Sequence, residues 1–334
     1  MRLTYRNCAP GPDIESCVPF GAAASGDPTG TPRTPARMPS AKSTTWTTRS
    51  LLKWMGDAFA KAEIDSPRLS AEMLLAHVLG CERLRLYMDA DRPATPLERE
   101  SLRELAARAL RHEPVQYLVG ETWFFSLPMH VDRRVLIPRP STETIVELAL
   151  QHARLSPGFE RAMIADVCAG SGCISIALLK HLPEARAAAC DISAEALEVA
   201  EKNARRHHVH ERLDLLRGDL LAPLLEHPAG RELHCLVSNP PYIPDSEWAD
   251  VAPNVKDYEP EVALRGGEDG LKFVRPLIEQ GPARLRPGGL MLIEIAASTA
   301  EAVLELARAN PLLTALRIER DHEGLPRVLH AVRK

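Results

Sequence analysis

The sequence predicts an α/β fold in which a mostly parallel β-sheet carries helices on both faces and follows a small helical domain. Two observations support this prediction. After residue 136, six short apolar runs alternate with helical stretches: MIADVCA, AAACDI, LDLLRGD, CLVSNPPYI, LMLIEIA and LRIERD. Alternating strands and helices are the order that builds a parallel sheet. Between residues 47 and 112, by contrast, apolar residues recur at helical spacing.

Residues 1–44 are rich in Pro, Gly, Ser, Thr and Ala and have hardly any apolar periodicity. Such a composition cannot bury enough apolar surface to offset the entropy of the chain. We therefore expect a disordered tail. An equally good hypothesis is that translation begins at Met38, just before the first periodic segment.

Residues 45–113 are predicted to form a helical domain. Apolar side chains recur three and four residues apart in two segments, and a third segment, residues 96–112, is amphipathic. The first two segments are defined by Leu51, Leu52, Met55 and Phe59 and, after Pro67, by Leu69, Met73, Leu74, His77 and Val78. No group of polar residues suggests catalysis in this region, so we expect the domain to dock a substrate.

Residues 114–135 are predicted to be a β-hairpin that links the two domains. Aromatic and β-branched residues are concentrated here around Gly120 and Pro128, as is typical of paired strands and turns. Residues 136–334 would then form the α/β domain.

The composition excludes several classes of protein. The formal charge of −4 gives no overall attraction for nucleic acid. Seven dispersed cysteines without a CxxC pair argue against both a disulfide framework and a zinc site. The sequence contains neither a run of about 18 apolar residues nor a secretory signal. We expect a cytoplasmic monomer with no metal, no membrane contact and no direct binding of nucleic acid.

A glycine-containing loop follows the first predicted strand of the α/β domain. It consists of Cys168, Ala169, Gly170, Ser171 and Gly172, and a helical stretch begins directly after it. Such a turn lets the backbone approach a ligand closely, and the next helix offers free N–H groups there. Because the third glycine of the dinucleotide pattern GxGxxG is missing, the loop favours S-adenosylmethionine over NAD.

Two acidic residues follow the next predicted strands. Asp191 ends the second strand, roughly 20 residues after the loop, where a carboxylate can accept hydrogen bonds from both ribose hydroxyls. Capping the helix predicted over residues 193–204 is a second possible role for Asp191. Asp219 follows the third strand and is predicted to lie near the adenine amine, with Leu220 against the ring. The alternative is that Asp219 is an ordinary loop aspartate with no role in binding.

The fourth predicted strand ends in Asn239, Pro240, Pro241 and Tyr242, at the sheet edge where α/β proteins bind ligands. Consecutive prolines remove two N–H donors and leave carbonyl groups free to accept hydrogen bonds. We predict that Asn239 and Pro240 hold a flat NH2 group beside a methyl donor and that Tyr242 stacks on it. These three residues would act in catalysis, with Asn239 also next to the cofactor. A plain turn with a packed tyrosine is the alternative.

Together the motifs resemble those of the protein-(glutamine-N5) methyltransferases, specifically the branch that acts on bacterial peptide chain release factors. The likeness covers residues 47–334. Besides residues 239–242, it rests on LIPRP at 136–140 with Thr142-Glu143, on Glu259-Pro260, and on GGEDGL at 266–271. The resemblance implies a class I Rossmann-like fold with a seven-stranded, mostly parallel sheet. It also implies S-adenosylmethionine as the methyl donor and the glutamine of a Gly-Gly-Gln motif in a release factor as the substrate.

By position, the resemblance puts the cofactor loop on residues 168–172, the ribose acid on Asp191, the adenine side on Leu220 and the glutamine site on residues 239–242. The sequence departs from the family pattern at several positions. Cys168 replaces a glycine, Leu220 a usual tryptophan and Ser141 an acid, and residues 294–298 lack the usual glycine and glutamine.

The LIPRP segment contains one arginine, Arg139. The resemblance implies that Arg139 is buried or nearly buried, where it either clamps an acidic partner or pairs with Glu143. Glu259 is predicted to orient the acceptor loop, although both residues have a plain scaffold role as the alternative.

Three other functions stay open. Glutamine methylation of a ribosomal protein is disfavoured because that branch has Pro-Arg-Ser where this chain has Pro138-Arg139-Pro140. Adenine N6-methylation would use the same flat NH2 group but needs a basic face. The cluster at residues 202–210 is more typical of a solvated helix. A non-enzymatic binding module would account for the departures at Cys168 and Leu220.

Overall fold

The computed structural model describes residues 45–334, so the predicted tail and the hypothesis of a start at Met38 lie outside the described residues. The chain separates into two compact units, with the boundary between Leu110 and Arg111. None of the helices in residues 45–334 is long and apolar enough to cross a membrane.

The first unit contains four helices: α1 (Thr48–Lys61), α2 (Pro67–Leu79), α3 (Arg83–Met88) and α4 (Pro96–Ala109). Two of them begin at capping boxes. The Thr47 side chain accepts a hydrogen bond from the backbone of Ser50, and Thr95 accepts one from the backbone of Glu98. These bonds satisfy N–H groups that have no partner within the first helical turn.

The predicted apolar face is confirmed for α1 and partly wrong for α2. Leu51, Met55 and Phe59 are buried, whereas Leu69 and His77 are exposed. The buried residues of α2 are instead Ser70, Ala71, Glu72, Leu74, Leu75 and Ala76. Because α2 packs against α1, α3 and α4, its burial does not follow a single stripe. The Glu72 carboxylate tolerates burial because the Arg83 guanidinium lies 2.9 Å away.

The second unit begins with a helix and then a hairpin, so the predicted hairpin over residues 114–135 is too long. Helix α5 (Val115–Val119) comes first and ends at Gly120, which has a φ of 74°. The antiparallel strands are β1 (Glu121–Phe124) and β2 (Leu127–His130). The turn residues between them, Phe125 and Ser126, both have positive φ, as a two-residue turn with the twist of a hairpin requires.

The rest of the unit alternates helices and strands as predicted. In chain order these are α6 (Glu143–Leu155), β3 (Met163–Val167), α7 (Cys173–His181), β4 (Arg186–Asp191), α8 (Ala194–Arg206), β5 (Leu213–Arg217), α9 (Ala222–Glu226), β6 (Leu233–Ser238), α10 (Pro253–Lys256), α11 (Val274–Gln280), β7 (Leu285–Glu294), α12 (Ala300–Ala309), β8 (Leu313–Arg320) and β9 (Pro326–Arg333).

The seven strands form one sheet in the order β5-β4-β3-β6-β7-β9-β8. All neighbouring pairs from β5 to β7 are parallel, and β9 is antiparallel to both β7 and β8. The predicted Rossmann-like fold with a seven-stranded, mostly parallel sheet is therefore confirmed. The six apolar runs missed β9, because Arg327 and His330 interrupt its apolar pattern although both are buried.

Helices cover the sheet on both faces. Ile164 of β3 packs in a cluster with residues of α6 and α7, and its neighbour Ala165 packs on the opposite face with residues of α11 and α12. This alternation along a strand is the reason that central strands of a two-sided sheet read as continuous apolar runs.

The strand order reverses direction between β3 and β6. Chain connections from β3 run outward to β4 and β5 on one side, and β6 lies on the other side of β3. In open α/β sheets a crevice forms outside the carboxyl ends of the strands at such a point. The loops after β3, β4, β5 and β6 therefore meet at one place.

Candidate functional site

A cavity of about 350 Å³ lies at the carboxyl ends of these strands. Its volume is in the range of small-molecule sites, about 300–1,000 Å³. The predicted site residues that line it are Cys168, Ala169, Gly170, Ser171, Asp191, Asp219, Leu220, Asn239 and Pro241. Gly172, Pro240 and Tyr242 are predicted site residues that do not line it. The fold thus brings the loops after four strands to one cavity.

Gly172 shapes the loop rather than the cavity wall. It has a φ of 75°, and its N–H donates to the Ala169 carbonyl at 2.8 Å. A Cβ atom at this position would lie 3.1 Å from Ala200 Cβ and 3.2 Å from Ile176 Cδ1. The absence of a side chain therefore allows α7 to begin close to α8.

Cys168 keeps the backbone conformation that a glycine would adopt. Its φ is 62°, in the left-handed region that L-residues rarely occupy outside special sites. Burial raises the pKa of the Cys168 thiol, and a hydrogen bond with Ser238 opposes this rise. The departure from the family pattern leaves the loop turn in place, with a protonated thiol at its start.

Asp191 joins the glycine loop to the end of β4. Its Oδ2 accepts a hydrogen bond from Gly170 N–H at 2.8 Å, and its Oδ1 accepts one from Ser193 N–H at 2.9 Å. Asp191 is not the cap of α8, because Ser193 is the N-cap and its Oγ accepts from Ala196 N–H. A carboxylate offers about four acceptor positions, so Asp191 retains capacity for two ligand hydroxyls.

Beneath the loop lies a second acid, Asp166 of β3, which is fully buried. Its Oδ2 accepts a hydrogen bond from Ser175 N–H at 3.0 Å, whereas Oδ1 has no partner among the described residues. Burial raises the pKa of Asp166 to about 7. The carboxyl group therefore binds a proton over a pH range in which an unfolded chain would release it.

We expect Asp166 to make the protein less stable as the pH rises from about 4 to 7. The native state holds the proton in this range and the unfolded state does not, so unfolding becomes easier with rising pH. Asp166→Asn keeps the shape of the side chain but has no titratable group, so it should flatten the dependence of stability on pH. Over the whole range, the resulting difference in the free energy of unfolding should be a few kcal/mol at most, since one pKa unit corresponds to about 1.4 kcal/mol. Denaturant unfolding at several pH values measures the free energy of unfolding of both proteins. Parallel plots of this free energy against pH would contradict the expectation.

Asn239 is held at its amide nitrogen. Its Nδ2 donates to Thr142 Oγ1 at 3.1 Å, and among residues 45–334 no donor lies at hydrogen-bond distance from its Oδ1. Asn239 lines the cavity and is half-buried. An acceptor oxygen is therefore left available at the cavity.

Tyr242 makes a different contact from the one predicted. Its hydroxyl donates to Glu294 Oε1 at 3.1 Å. Burial raises the pKa of Tyr242, and Glu294 raises it further, so the phenol stays protonated at neutral pH. Stacking of its ring on a flat ligand stays a prediction.

The GGEDGL segment supports the turn after β6 from behind. Gly266 N–H donates to the Ile243 carbonyl at 2.8 Å. A Cβ atom on Gly266 would lie 2.8 Å from Tyr242 Cα, and one on Gly270 would lie 2.7 Å from the Tyr242 carbonyl oxygen. Only residues without a side chain allow this close backbone approach.

Arg139 is half-buried and pairs with the buried Glu259, so the suggested pair with Glu143 is wrong. The second oxygen of Glu259 accepts a hydrogen bond from Ile137 N–H at 2.9 Å. Glu143 instead accepts one from Phe125 N–H at 2.7 Å. The ion pair between Arg139 and Glu259 holds the LIPRP segment in place. Leu136 and Pro138 of this segment line the cavity.

Several site residues were not among the predicted ones. Loop residues before α6 and after α10 close the cavity, among them Leu136, Pro138, Thr142, Pro260, Val262 and Phe273. Buried Asn203 of α8 donates from Nδ2 to the Ser171 carbonyl at 3.0 Å and so supports the glycine loop. The LIPRP and Glu259-Pro260 sequence motifs indicated part of the cavity wall, whereas no local sequence pattern indicates a role for Asn203.

The lining of the cavity is partly apolar and partly charged. Leu136, Ile192 and Leu220 supply apolar walls, Asp191 supplies a carboxylate, and the basic residues Arg134 and Lys272 also line the cavity. In the described part of the chain no group of three or more His, Cys, Asp or Glu residues is arranged to hold a metal ion. A carboxylate beside apolar walls is the combination that the predicted S-adenosylmethionine site requires.

Comparisons with known proteins agree with this chemistry. The model of the PrmC N-terminal domain matches residues 50–120, and that of the methyltransferase small domain matches residues 147–254. A release factor glutamine methyltransferase of Chlorobaculum tepidum is 42% identical, over 85% of this chain and 96% of that protein. A release factor glutamine methyltransferase of Geobacter sulfurreducens is 38% identical, over 85% of this chain and 96% of that protein. The chain is therefore a methyltransferase and belongs to the release factor glutamine methyltransferase family.

Proposed function

We propose that this protein uses S-adenosylmethionine to methylate the side-chain amide nitrogen, N5, of the glutamine in the Gly-Gly-Gln motif of peptide chain release factors in the cytoplasm. The observation that carries the proposal is the orientation of Asn239. Its amide nitrogen is held by Thr142, and its oxygen is left for a ligand in the cavity that Asp191 and the glycine loop also line.

The chemical difficulty is that an amide nitrogen is a poor nucleophile, because its lone pair is delocalised into the carbonyl group. When bound, S-adenosylmethionine supplies a methyl group on a positively charged sulfur. Asn239 Oδ1 and the Pro240 carbonyl accept the two hydrogens of the glutamine NH2 group, which orients the nitrogen and raises its electron density. Pro240 and Pro241 have no N–H groups that would compete for these acceptors.

No strong base is needed if the proton leaves after methyl transfer. Two titratable groups near the turn, Cys168 and Tyr242, fit this requirement, because burial raises the pKa of both and keeps them protonated. We assign Tyr242 the role of stacking on the flat amide, with Pro241 beside it.

We assign the cofactor roles as the sequence predicted them. Asp191 binds the ribose hydroxyls, Asp219 lies near the adenine amine, and Leu220 packs on the ring. The backbone of residues 168–172 approaches the remainder of the cofactor, with Gly172 acting through the shape of the loop.

The helical unit of residues 45–113 is proposed to dock the release factor. Leu84 and Met88 are four residues apart on α3, and they are 69% and 68% exposed. Apolar side chains so placed on one helical face are candidates for a protein contact.

Replacing both residues, Leu84→Ser with Met88→Ser, should raise the KM for the release factor about tenfold, because a contact residue of this kind contributes roughly 1–2 kcal/mol. The affinity for S-adenosylmethionine should not change. Leu155→Ser, at an exposed leucine of α6, is the matched control. An unchanged KM in the double variant would remove the docking role from this face.

The alternatives are glutamine methylation of a ribosomal protein and adenine N6-methylation of nucleic acid. The basic residues of α8 do not favour nucleic acid, because Arg205 pairs with Glu201 at 2.5 Å and Arg206 with Glu121 at 2.6 Å. A neutralised helix face offers little attraction for phosphates.

Transfer of tritiated methyl groups tests the proposal. Purified release factors, their variants with alanine in place of the Gly-Gly-Gln glutamine, ribosomal protein and DNA serve as acceptors. Label is expected only on release factors that retain the glutamine. Equal label on the alanine variants, or label on ribosomal protein or DNA alone, would overturn it.

A further inference from the structure

Asn203 is a fully buried side chain of α8 that none of the proposed steps uses. Its Oδ1 accepts a hydrogen bond from His130 N–H at 2.7 Å. Its Nδ2 donates to the His130 carbonyl at 3.0 Å and to the Ser171 carbonyl at 3.0 Å. All three partners are backbone groups of two other segments, so one side chain connects the β1–β2 hairpin to the glycine loop.

We propose that Asn203 is a positioning residue for cofactor binding: by holding the Ser171 carbonyl, it fixes the glycine loop in the shape that receives S-adenosylmethionine. This inference rests on the proposed function, because the shape of the loop matters for methyl transfer only if the loop binds the methyl donor.

The first step of the argument concerns the orientation of the Asn203 amide. A backbone N–H only donates, so the N–H of His130 selects the oxygen end of the amide. The two hydrogens of Nδ2 are then left for the two carbonyl groups, which only accept. A flipped amide would place an N–H group against His130 N–H and an oxygen against the Ser171 carbonyl. The side chain therefore has one favourable orientation, in which Ser171 receives a donor.

The second step concerns how α8 comes close enough to the loop. Gly172 has no side chain, and a Cβ atom there would lie 3.1 Å from Ala200 Cβ. Ala200 and Asn203 are three residues apart on α8, so they lie on the same side of the helix. The close approach at Gly172 therefore brings Asn203 within hydrogen-bond distance of the preceding loop residue, Ser171.

The third step concerns what the bond holds in place. Ser171 lines the cavity and is 3% exposed. Within residues 45–334, Asn203 is the one donor at hydrogen-bond distance from the Ser171 carbonyl. Without it this buried carbonyl would be unsatisfied, and rotation of the peptide group between Ser171 and Gly172 would relieve that cost. Such a rotation would change the shape of the cavity wall.

The fourth step concerns the hairpin. The Asn203 amide exchanges two hydrogen bonds with His130, as a residue on a neighbouring antiparallel strand would. His130 is the last residue of β2, and the chain leads from there to the LIPRP segment in the cavity wall. Loss of Asn203 thus affects both the loop and the hairpin, and an experiment has to separate the two effects.

Asn203→Leu tests the inference in the full-length protein, because leucine has a similar size and no hydrogen-bonding groups. We expect the Kd for S-adenosylmethionine, measured by isothermal titration, to rise about tenfold, since one hydrogen bond contributes about that factor. The kcat at saturating donor should change by less than about threefold, because the acceptor turn is untouched. A purely structural role would instead lower the fraction of folded enzyme, and with it the apparent kcat, and leave the Kd unchanged.

His207→Ala is the matched control. His207 caps the same helix and contacts the same hairpin, because its Nε2 donates to the Pro128 carbonyl at 2.9 Å. Among the hydrogen bonds of the described residues, His207 makes none with the glycine loop. We expect its Kd for S-adenosylmethionine to stay within about twofold of wild type. An equal loss of affinity in His207→Ala would overturn the proposal, since docking of the hairpin would then set the affinity.

Asn203→Ala replaces Asn203→Leu if the leucine variant fails to fold. Alanine removes the same three hydrogen bonds and adds no volume to the buried site. The same rise in Kd and the same small change in kcat are expected.

A measurement without cofactor separates this inference from the proposed function. In the ligand-free protein, amide hydrogen exchange at residues 170–172, followed by NMR, should be faster in the Asn203 variants than in wild type or His207→Ala. Unchanged exchange, or a Kd within about twofold of wild type, would overturn the positioning role. Wild-type protein that binds no S-adenosylmethionine would overturn the proposed function instead, and the exchange rates would still decide whether Asn203 fixes the loop.

Discussion

Asn239→Ala is expected to reduce methyl transfer to release factors by about 10²-fold to 10³-fold, because fixed polar groups at a reacting atom commonly contribute that much. The substitution removes the acceptor that orients the glutamine NH2 group. It leaves Asp191, the glycine loop and the apolar walls of the cavity in place, so the affinity for S-adenosylmethionine should remain within a few fold of wild type. Single-turnover transfer of tritiated methyl groups at saturating donor measures the chemical step directly.

The matched control for this variant is Asn310→Ala. Asn310 is also an asparagine with a structural role, since its Nδ2 donates to the Ile278 carbonyl at 2.8 Å, but it does not line the cavity. We expect it to lower the free energy of unfolding by about 1 kcal/mol and to leave the rate of methyl transfer unchanged. If Asn239→Ala transferred methyl groups at the wild-type rate, polarisation by this turn would not be the mechanism.

The second large effect is expected for Asp191→Ala, which should weaken binding of S-adenosylmethionine by about 10²-fold or more, since hydrogen bonds to a charged group contribute roughly 1.5–3 kcal/mol each. The change removes the proposed acceptor for the ribose hydroxyls. It also releases Gly170 N–H, which Asp191 holds at 2.8 Å, so the loop loses its anchor. Isothermal titration with S-adenosylmethionine measures the affinity, and circular dichroism checks that the variant is folded.

Asp214→Ala is the corresponding control. Asp214 lies on the neighbouring strand β5, is half-buried and does not line the cavity. Its removal should leave the affinity for the methyl donor within about twofold, because most surface substitutions have small effects. Similar affinities for the Asp191 variant and the wild type would show that the ribose is bound elsewhere.

The parts of the site that were predictable from sequence are those built from neighbouring residues. The glycine loop, Asp191 and residues 239–242 each follow a strand directly, and a strand end in a parallel sheet has a known place. Cys168 illustrates how far local patterns reach: the family motif marks it as a departure, yet it has the positive φ of the residue it replaces.

Two of the predictions that failed involve charged or polar residues that the fold buries. Strand β9 was missed because Arg327 and His330 look like surface residues, although Arg327 is buried against Asp321. A pair with Glu143, four residues away, was one of two alternatives for Arg139, whereas its partner Glu259 comes from a loop that follows β6. Sequence spacing alone does not reveal which charges meet after folding.

The sequence by itself determined most of the order of helices and strands, the glycine loop with its acid, and the donor-poor turn at residues 239–242, because these depend on local conformation and on apolar periodicity. Only the tertiary structure decided how the turn is oriented. Thr142 and Asn239 belong to separate segments of the chain, and the hydrogen bond between them forms only when the sheet is assembled. Contacts of this kind carry no local signal, since each residue on its own is an ordinary polar side chain next to a strand or helix end.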